Sequence, residues 1–277
     1  MSKTGPQRTA SPVERLVQHD RAIVVGAVMI IVAGAAIYTV LGVGMSMSAI
    51  EMTRMARSVG RPMQMGGPIA WTPAYALLVF LMWWIMMIAM MTPSAAPMLL
   101  LYAALKRRGP QSDQAWLYSL LFLVGYLAIW AGFSVIAVAL QWGLEQAGLV
   151  ASSMMTLSSR ALAGVVLLAA GVYQFTGFKD ACLSHCRSPA EFLARHNRPG
   201  AAGAFGIGVH HGTYCLGCCW ALMALLFVGG IMNLYWIVGL ALFVLAERLA
   251  PGGRLFARLA GAALAAAGVY MLASAVL

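Results

Sequence analysis

All five cysteines of this chain fall between Cys182 and Cys219. Cys182 and Cys186 come first, and Cys215, Cys218 and Cys219 follow. Of the five histidines, only His19 lies away from this region; His185 sits between the first cysteines, and His210 and His211 precede the last three by about one helical turn. If the stretch from Ala204 onward is helical, residues four apart share a face, which puts His211, Cys215 and Cys219 in one stripe with Cys218 beside it. Thiolate and imidazole together suit Cu(I) or Zn(II), and the lack of clustered carboxylates argues against Mg, Ca or Mn. A single buried cysteine is most simply a small core residue. A set of nine sulfur and imidazole side chains in one region is not explained that way. The C-L-G-C spacing of Cys215 and Cys218 also admits thiol-disulfide exchange. Cys219 next to Cys218, two nearby histidines and the absence of a βαβ context favour ligation.

The nineteen methionines extend the soft-ligand theme. Met82, Met86 and Met90 recur every four residues, with Met87 and Met91 beside them. Such a stripe could pass a soft cation from thioether to thioether, or it could simply pack, because Met is a flexible gap filler. Met45, Met47, Met52, Met55, Met63 and Met65 lie between the first two apolar runs, and Met154 and Met155 lie in a later loop. Thioethers need no deprotonation and form no disulfides, so these positions suit Cu(I) capture on an oxidising side; an amphipathic membrane-surface segment is the alternative.

The elements that must position these groups are apolar. The 277 residues are 62% hydrophobic and 9% charged, with mean hydropathy +0.84, whereas soluble domains carry about 25% charged residues. A hydrocarbon core of about 30 Å takes roughly 20 apolar residues as helix. Seven runs approach that: Ala22 to Met45, Ala74 to Leu105, Ala115 to Leu140, Ala161 to Phe178, Ala204 to Gly230, Asn233 to Ala246 and Leu255 to Leu277. The expectation is an all-α polytopic bundle of about seven transmembrane helices in one domain, residues 21–277, after a polar cytoplasmic tail of residues 1–20. The sixth run is short, so six spans plus a re-entrant segment is the alternative. No signal-peptide cleavage pattern follows the first run, which is therefore expected to remain as a helix.

Basic residues fix the expected orientation, because cytoplasmic loops collect Lys and Arg. With the N-terminus inside, the inner segments hold Lys3, Arg8, Arg15, Arg21, Lys106, Arg107, Arg108, Lys179, Arg187, Arg195, Arg198, Arg248, Arg254 and Arg258, which is 14 of the 18 basic residues. The outer side keeps Arg54, Arg57, Arg61 and Arg160. The charge of +10 thus reads as topology rather than nucleic-acid binding, since no basic stripe alternates with aromatics. Glu51, Glu145 and Glu247 read as helix-end or loop residues, leaving no carboxylate for a proton relay. Pro93 and Pro97 predict a kink in the second span, and the glycines and alanines from Gly261 to Gly268 predict a close-packing face on the last. No nucleotide-binding motif or Ser-nucleophile constellation is present.

Three stretches carry a resemblance: W-W-I-M-M-I-A-M-M-T-P-S-A-A-P from Trp83, G-V-Y-Q-F-T-G-F-K-D-A-C-L-S-H-C-R-S-P from Gly171, and G-A-F-G-I-G-V-H-H-G-T-Y-C-L-G-C-C-W-A-L-M from Gly203. They resemble the bacterial family of predicted metal-binding integral membrane proteins, from the second span to Pro251. Some members are regarded as membrane copper chaperones supporting tyrosinase-like and laccase-like oxidases. The resemblance implies copper delivery and carries to Cys182, Cys186, His211, Cys215, Cys218 and Cys219 as metal residues. His210 stands where the family carries a basic residue.

The expected protein is a non-catalytic copper-binding chaperone or Cu(I) transfer protein of the bacterial inner membrane, multi-pass, supplying a copper-dependent oxidase. Its candidate ligands are Cys182, Cys186, His211, Cys215, Cys218, Cys219, His185, His210, Met82, Met86 and Met90, with Zn(II) the competing metal. The alternatives are a membrane thiol-disulfide oxidoreductase and a non-catalytic subunit of a membrane complex.

Overall fold

A computed structural model of the chain describes residues 12–43, 45, 47–56, 70–109, 112–151 and 155–276. Lys3, Arg8, Arg57, Arg61, Met63, Met65 and Met154 lie outside them. Among the described residues the chain is all-α apart from a two-stranded antiparallel hairpin. Its helices are α1 (Pro12–Leu41), α2 (Ala49–Met55), α3 (Pro73–Arg107), α4 (Ala115–Gln146), α5 (Arg160–Tyr173), α6 (Gly177–Arg187), α7 (Pro189–His196), α8 (Gly200–Ala224), α9 (Leu226–Gly229), α10 (Leu234–Leu249) and α11 (Gly253–Val276). The hairpin strands are β1 (Val150–Ala151) and β2 (Thr156–Leu157). The first helix begins at Pro12, inside the expected polar tail.

Among the described residues, five helices are long and apolar enough to cross a membrane, α1, α3, α4, α8 and α11, or six if the bent pair α5 and α6 is one span, against the expected seven. At 1.5 Å per residue, α5 and α10 extend only about 21 and 24 Å, short of a core of about 30 Å. After Tyr173 the chain bends by 63° into α6, so α5 and α6 together form either a broken span or a re-entrant loop. The short sixth run is α10. Its entry is tight: Gly230 has φ +94°, Gly229 is covered by the Trp236 ring, and the Asn233 side chain caps the helix through Tyr235 N.

The central helix is α8. Its apolar window is 61% buried, against 17% for α1 and α11 at the periphery. It packs chiefly on α4 and α6, and glycine makes the α4 crossing close. A Cβ on Gly208 would strike the Phe122 carbonyl, and one on Gly125 the Phe205 carbonyl. Without an aqueous phase to drive association, such backbone proximity gives van der Waals contact. The predicted small-residue face of α11 is used in the same way: Cβ atoms on Gly171 and Gly268 would meet Ala265 N and Leu168 N, each at 2.6 Å.

α3 runs on as a helix through Pro93 and Pro97. Its methionine stripe faces inward, since Met82, Met86, Met87, Met90 and Met91 are all buried. The outer-loop methionines depart from expectation. Met52 is buried in the core on α2, with Met45 and Met47 packed against it. The Ser48–Glu51 capping box that starts α2 turns this segment back onto the bundle.

Candidate metal centre

The i, i+4 spacing on α8 acts as expected: Cys215, Cys218 and Cys219 are buried together. A residue read from sequence only as a topology charge closes the group. Arg248, near the C-terminal end of α10, is 5% exposed. Its Nη2 lies 2.9 Å from Cys215 Sγ, 3.2 Å from Cys218 Sγ and 3.9 Å from Cys219 Sγ. Three sulfurs from adjacent turns thus surround one cationic nitrogen. The second branch, Nη1, donates to Ser94 Oγ of α3 at 2.8 Å.

Two more helices complete the enclosure. Tyr126 of α4 places its hydroxyl 3.0 Å from Cys215 Sγ and donates to the Met91 carbonyl at 3.1 Å. Met91 Sδ is 4.0 Å from Cys219 Sγ, so the α3 methionine stripe ends at the thiols. From α6, Cys186 is half-buried and packed against the core that contains the three α8 cysteines. Cys182 lies over Gly217, where a Cβ would come within 2.7 Å of its Sγ. The glycine of C-L-G-C is therefore a packing requirement. Gly217→Ala is expected to displace Cys182 and destabilise the protein by about 1–3 kcal/mol, the usual cost of overpacking, measured by thermal unfolding in detergent. All five cysteines are free.

His211 is 2% exposed. Its ring lies against Phe122, Tyr126 and Phe192, and neither Nδ1 nor Nε2 has a hydrogen-bond partner among the described residues. A buried imidazole with both nitrogens unpaired is costly and calls for an explanation such as an absent ligand. His185 and His210 are not in the thiol cluster. His185 stacks on Tyr214 with ring centroids 4.2 Å apart, and His210 meets His196 at 4.5 Å. Met82, Met86 and Met90 are buried on the N-terminal side of Met91 in α3.

Among the described residues, no group of three or more His, Cys, Asp or Glu side chains is arranged to hold a metal ion. The α8 sulfurs instead surround Arg248 Nη2. A thiol-bound cation would share or replace that position, and the sulfurs are the soft donors that Cu(I) prefers.

Behind Arg248 lies a second buried charge pair. Lys179 Nζ of α6 is 2.5 Å from Glu247 Oε1, both side chains fully buried, and Lys179 also donates to Gln174 Oε1. Glu247 lies in the last turn of α10, at a helix end as expected from sequence, but it is buried and ion-paired. Arg187 donates to the Glu247 and Ala250 carbonyls at 2.6 and 2.8 Å, tying α6 to the end of α10 that carries Arg248. Removing one member of a buried pair costs about 3–5 kcal/mol, whereas replacing both with apolar groups is often neutral. Lys179→Met is expected to lose that stability, and adding Glu247→Met to recover most of it, in chemical unfolding of the detergent-solubilised protein.

Sequence comparison agrees with this chemistry. The family described as copper chaperone (PpoB2) matches residues 80–271, from α3 to near the end of α11. The chain belongs to this copper chaperone family. The matched region contains the whole thiol site of this family member, with Met91, Tyr126 and Arg248, and leaves out α1 and α2. No curated protein and no solved structure matches the chain.

Sequence reasoning did not find Arg248, Tyr126, Ser94 or the Lys179–Glu247 pair as parts of the site. The available signal was Glu247 and Arg248 themselves, two charges directly after an apolar run too short to bring both into water.

Proposed function

We propose that this chain is a non-catalytic membrane copper chaperone that holds Cu(I) on Cys215, Cys218 and Cys219 and passes it to a copper-dependent oxidase. The observation that carries the reading is the convergence of three α8 sulfurs on one cationic nitrogen in a dry site, a position that a monovalent soft cation can take. Cys186 and Met91 stand at the edge of the group as further sulfur donors, and Cys182 lies one step behind. The buried Met82, Met86 and Met90 provide thioethers along α3 toward Met91. Copper is the cargo here; Zn(II), which accepts Cys and His equally well, is less suited to a thioether-lined approach.

The exposed Arg108, Arg195 and Arg198, after α3 and around α7 to α8, support an orientation with the N-terminus and these segments in the cytoplasm of a bacterial inner membrane. The thiols then remain reduced without a dedicated partner.

Transfer is tested with Cu(I)-loaded protein in lipid nanodiscs mixed with a copper-free laccase-like oxidase under a Cu(I) chelator that suppresses free ion. The oxidase is expected to gain activity from loaded wild-type protein and not from the Cys215→Ser, Cys218→Ser, Cys219→Ser variant. Equal activation by both would contradict the proposal.

A further inference from the structure

The histidines left out of the thiol site form a group of their own, on the side of α8 toward its N-terminus. His196 ends α7 and His210 lies midway along α8, and their rings meet at 4.5 Å with planes 80° apart. Both line an open cavity of about 570 Å³, together with Arg198, Gly206 and Ile207. A smaller cavity of about 160 Å³ adjoins on the far side of His196 and is lined also by His185.

Two of these imidazoles have one nitrogen already engaged. His196 Nδ1 is 2.9 Å from the Phe192 carbonyl and His185 Nδ1 is 2.8 Å from the Ala181 carbonyl. A carbonyl can only accept, so Nδ1 is the donor in each contact and Nε2 is the nitrogen left to meet a ligand. That is the arrangement of a metal-ligating histidine, whose other nitrogen donates to a carbonyl or carboxylate. At a metal–nitrogen distance of about 2.0–2.1 Å, two rings on one ion have centroids about 5 Å apart, close to the separation of His196 and His210.

Position adds a second argument. His210 adjoins His211, the buried imidazole with two unpaired nitrogens, and His211 is one helical turn from Cys215. The ring of Tyr126 lies on His211 while its hydroxyl meets the Cys215 sulfur. An open imidazole pair from α7 and α8, a buried imidazole and a thiol thus follow one another from the end of α7 along α8. Arg198 at the rim opposes a cation, but its side chain is exposed and its charge is screened by water and salt.

We infer that His196 and His210 form a separate copper-binding site at the cavity, with His185 adjacent, through which the ion reaches the thiols by ligand exchange via His211. The step is exchange only: each new nitrogen or sulfur bond to copper replaces an older one, and no electron moves. The inference rests on the copper cargo proposed above, but the two are separable by experiment.

The test uses full-length protein in which all five free cysteines, Cys182, Cys186, Cys215, Cys218 and Cys219, are replaced by serine, so that thiols cannot reduce the probe. Cu(II) is titrated in and followed by electron paramagnetic resonance. One bound Cu(II) with nitrogen couplings is expected, lost when His196→Ala and His210→Ala are added. Both positions are on partly exposed rings, so these changes should leave the fold intact, checked by circular dichroism. Absence of nitrogen-coupled Cu(II), or its persistence in the His196→Ala, His210→Ala variant, would overturn the inference. In that case an unchanged Cu(I) load on the wild-type thiols would leave the chaperone reading standing.

Discussion

Replacing Cys215, Cys218 and Cys219 together with serine should reduce copper copurifying under reducing conditions to background, while the helical content is unchanged. Serine fills nearly the same volume but offers a hard hydroxyl oxygen in place of a soft sulfur, and Cu(I) discriminates strongly between the two. The three sulfurs lie within 2.9–3.9 Å of a single nitrogen, so they act as one group and single replacements should each lose much of the effect. Copper quantified against protein concentration checks the result. Full retention of copper by the triple variant would remove the thiols from the account.

The second large effect is expected at Arg248. Two thiolates on one Cu(I) carry a net negative charge, and in a buried site that charge needs a fixed cation. The Arg248 guanidinium is the cation in contact with the sulfurs, held from the other side by Ser94. Arg248→Met keeps much of the volume and removes the charge. Losing one partner of a buried charge pair costs about 3–5 kcal/mol, and each 1.4 kcal/mol is about tenfold, so Cu(I) affinity should fall about 100-fold or more. Arg248→Lys should restore part of it, because it returns the charge without the planar fork that reaches Ser94 and the thiols together. Competition with a Cu(I) chelator measures both. If Arg248→Met bound Cu(I) more tightly than wild type, the guanidinium would be a plug rather than a counter-ion.

Much of this arrangement was legible in the sequence, and the parts that were not share a cause. Helical periodicity placed His211, Cys215 and Cys219 on one face because α8 is regular through that stretch. The apolar runs located the long helices for the same reason. What one-dimensional reading missed was depth. Arg248 and Lys179 were counted among the cytoplasmic charges, yet both are buried, because α10 and α5 are short and α6 folds back at 63°, carrying polar residues into the bundle. Glu247 was placed at a helix end and is the buried partner of Lys179. His185 and His210 were grouped with the thiols on sequence proximity alone. In the fold, His185 lies on α6 against Tyr214 and His210 turns to His196, away from the face that carries Cys215. The Met52 segment was read as a polar outer loop, and its capping box instead folds it into the core.

The central claim is that Cu(I) sits among the α8 sulfurs, and X-ray absorption at the copper edge of loaded, reduced protein tests it most directly. The account predicts a Cu(I) edge with two or three sulfur scatterers in the first shell, lost in the Cys215→Ser, Cys218→Ser, Cys219→Ser variant. A first shell of nitrogen or oxygen alone, unchanged in that variant, would contradict it.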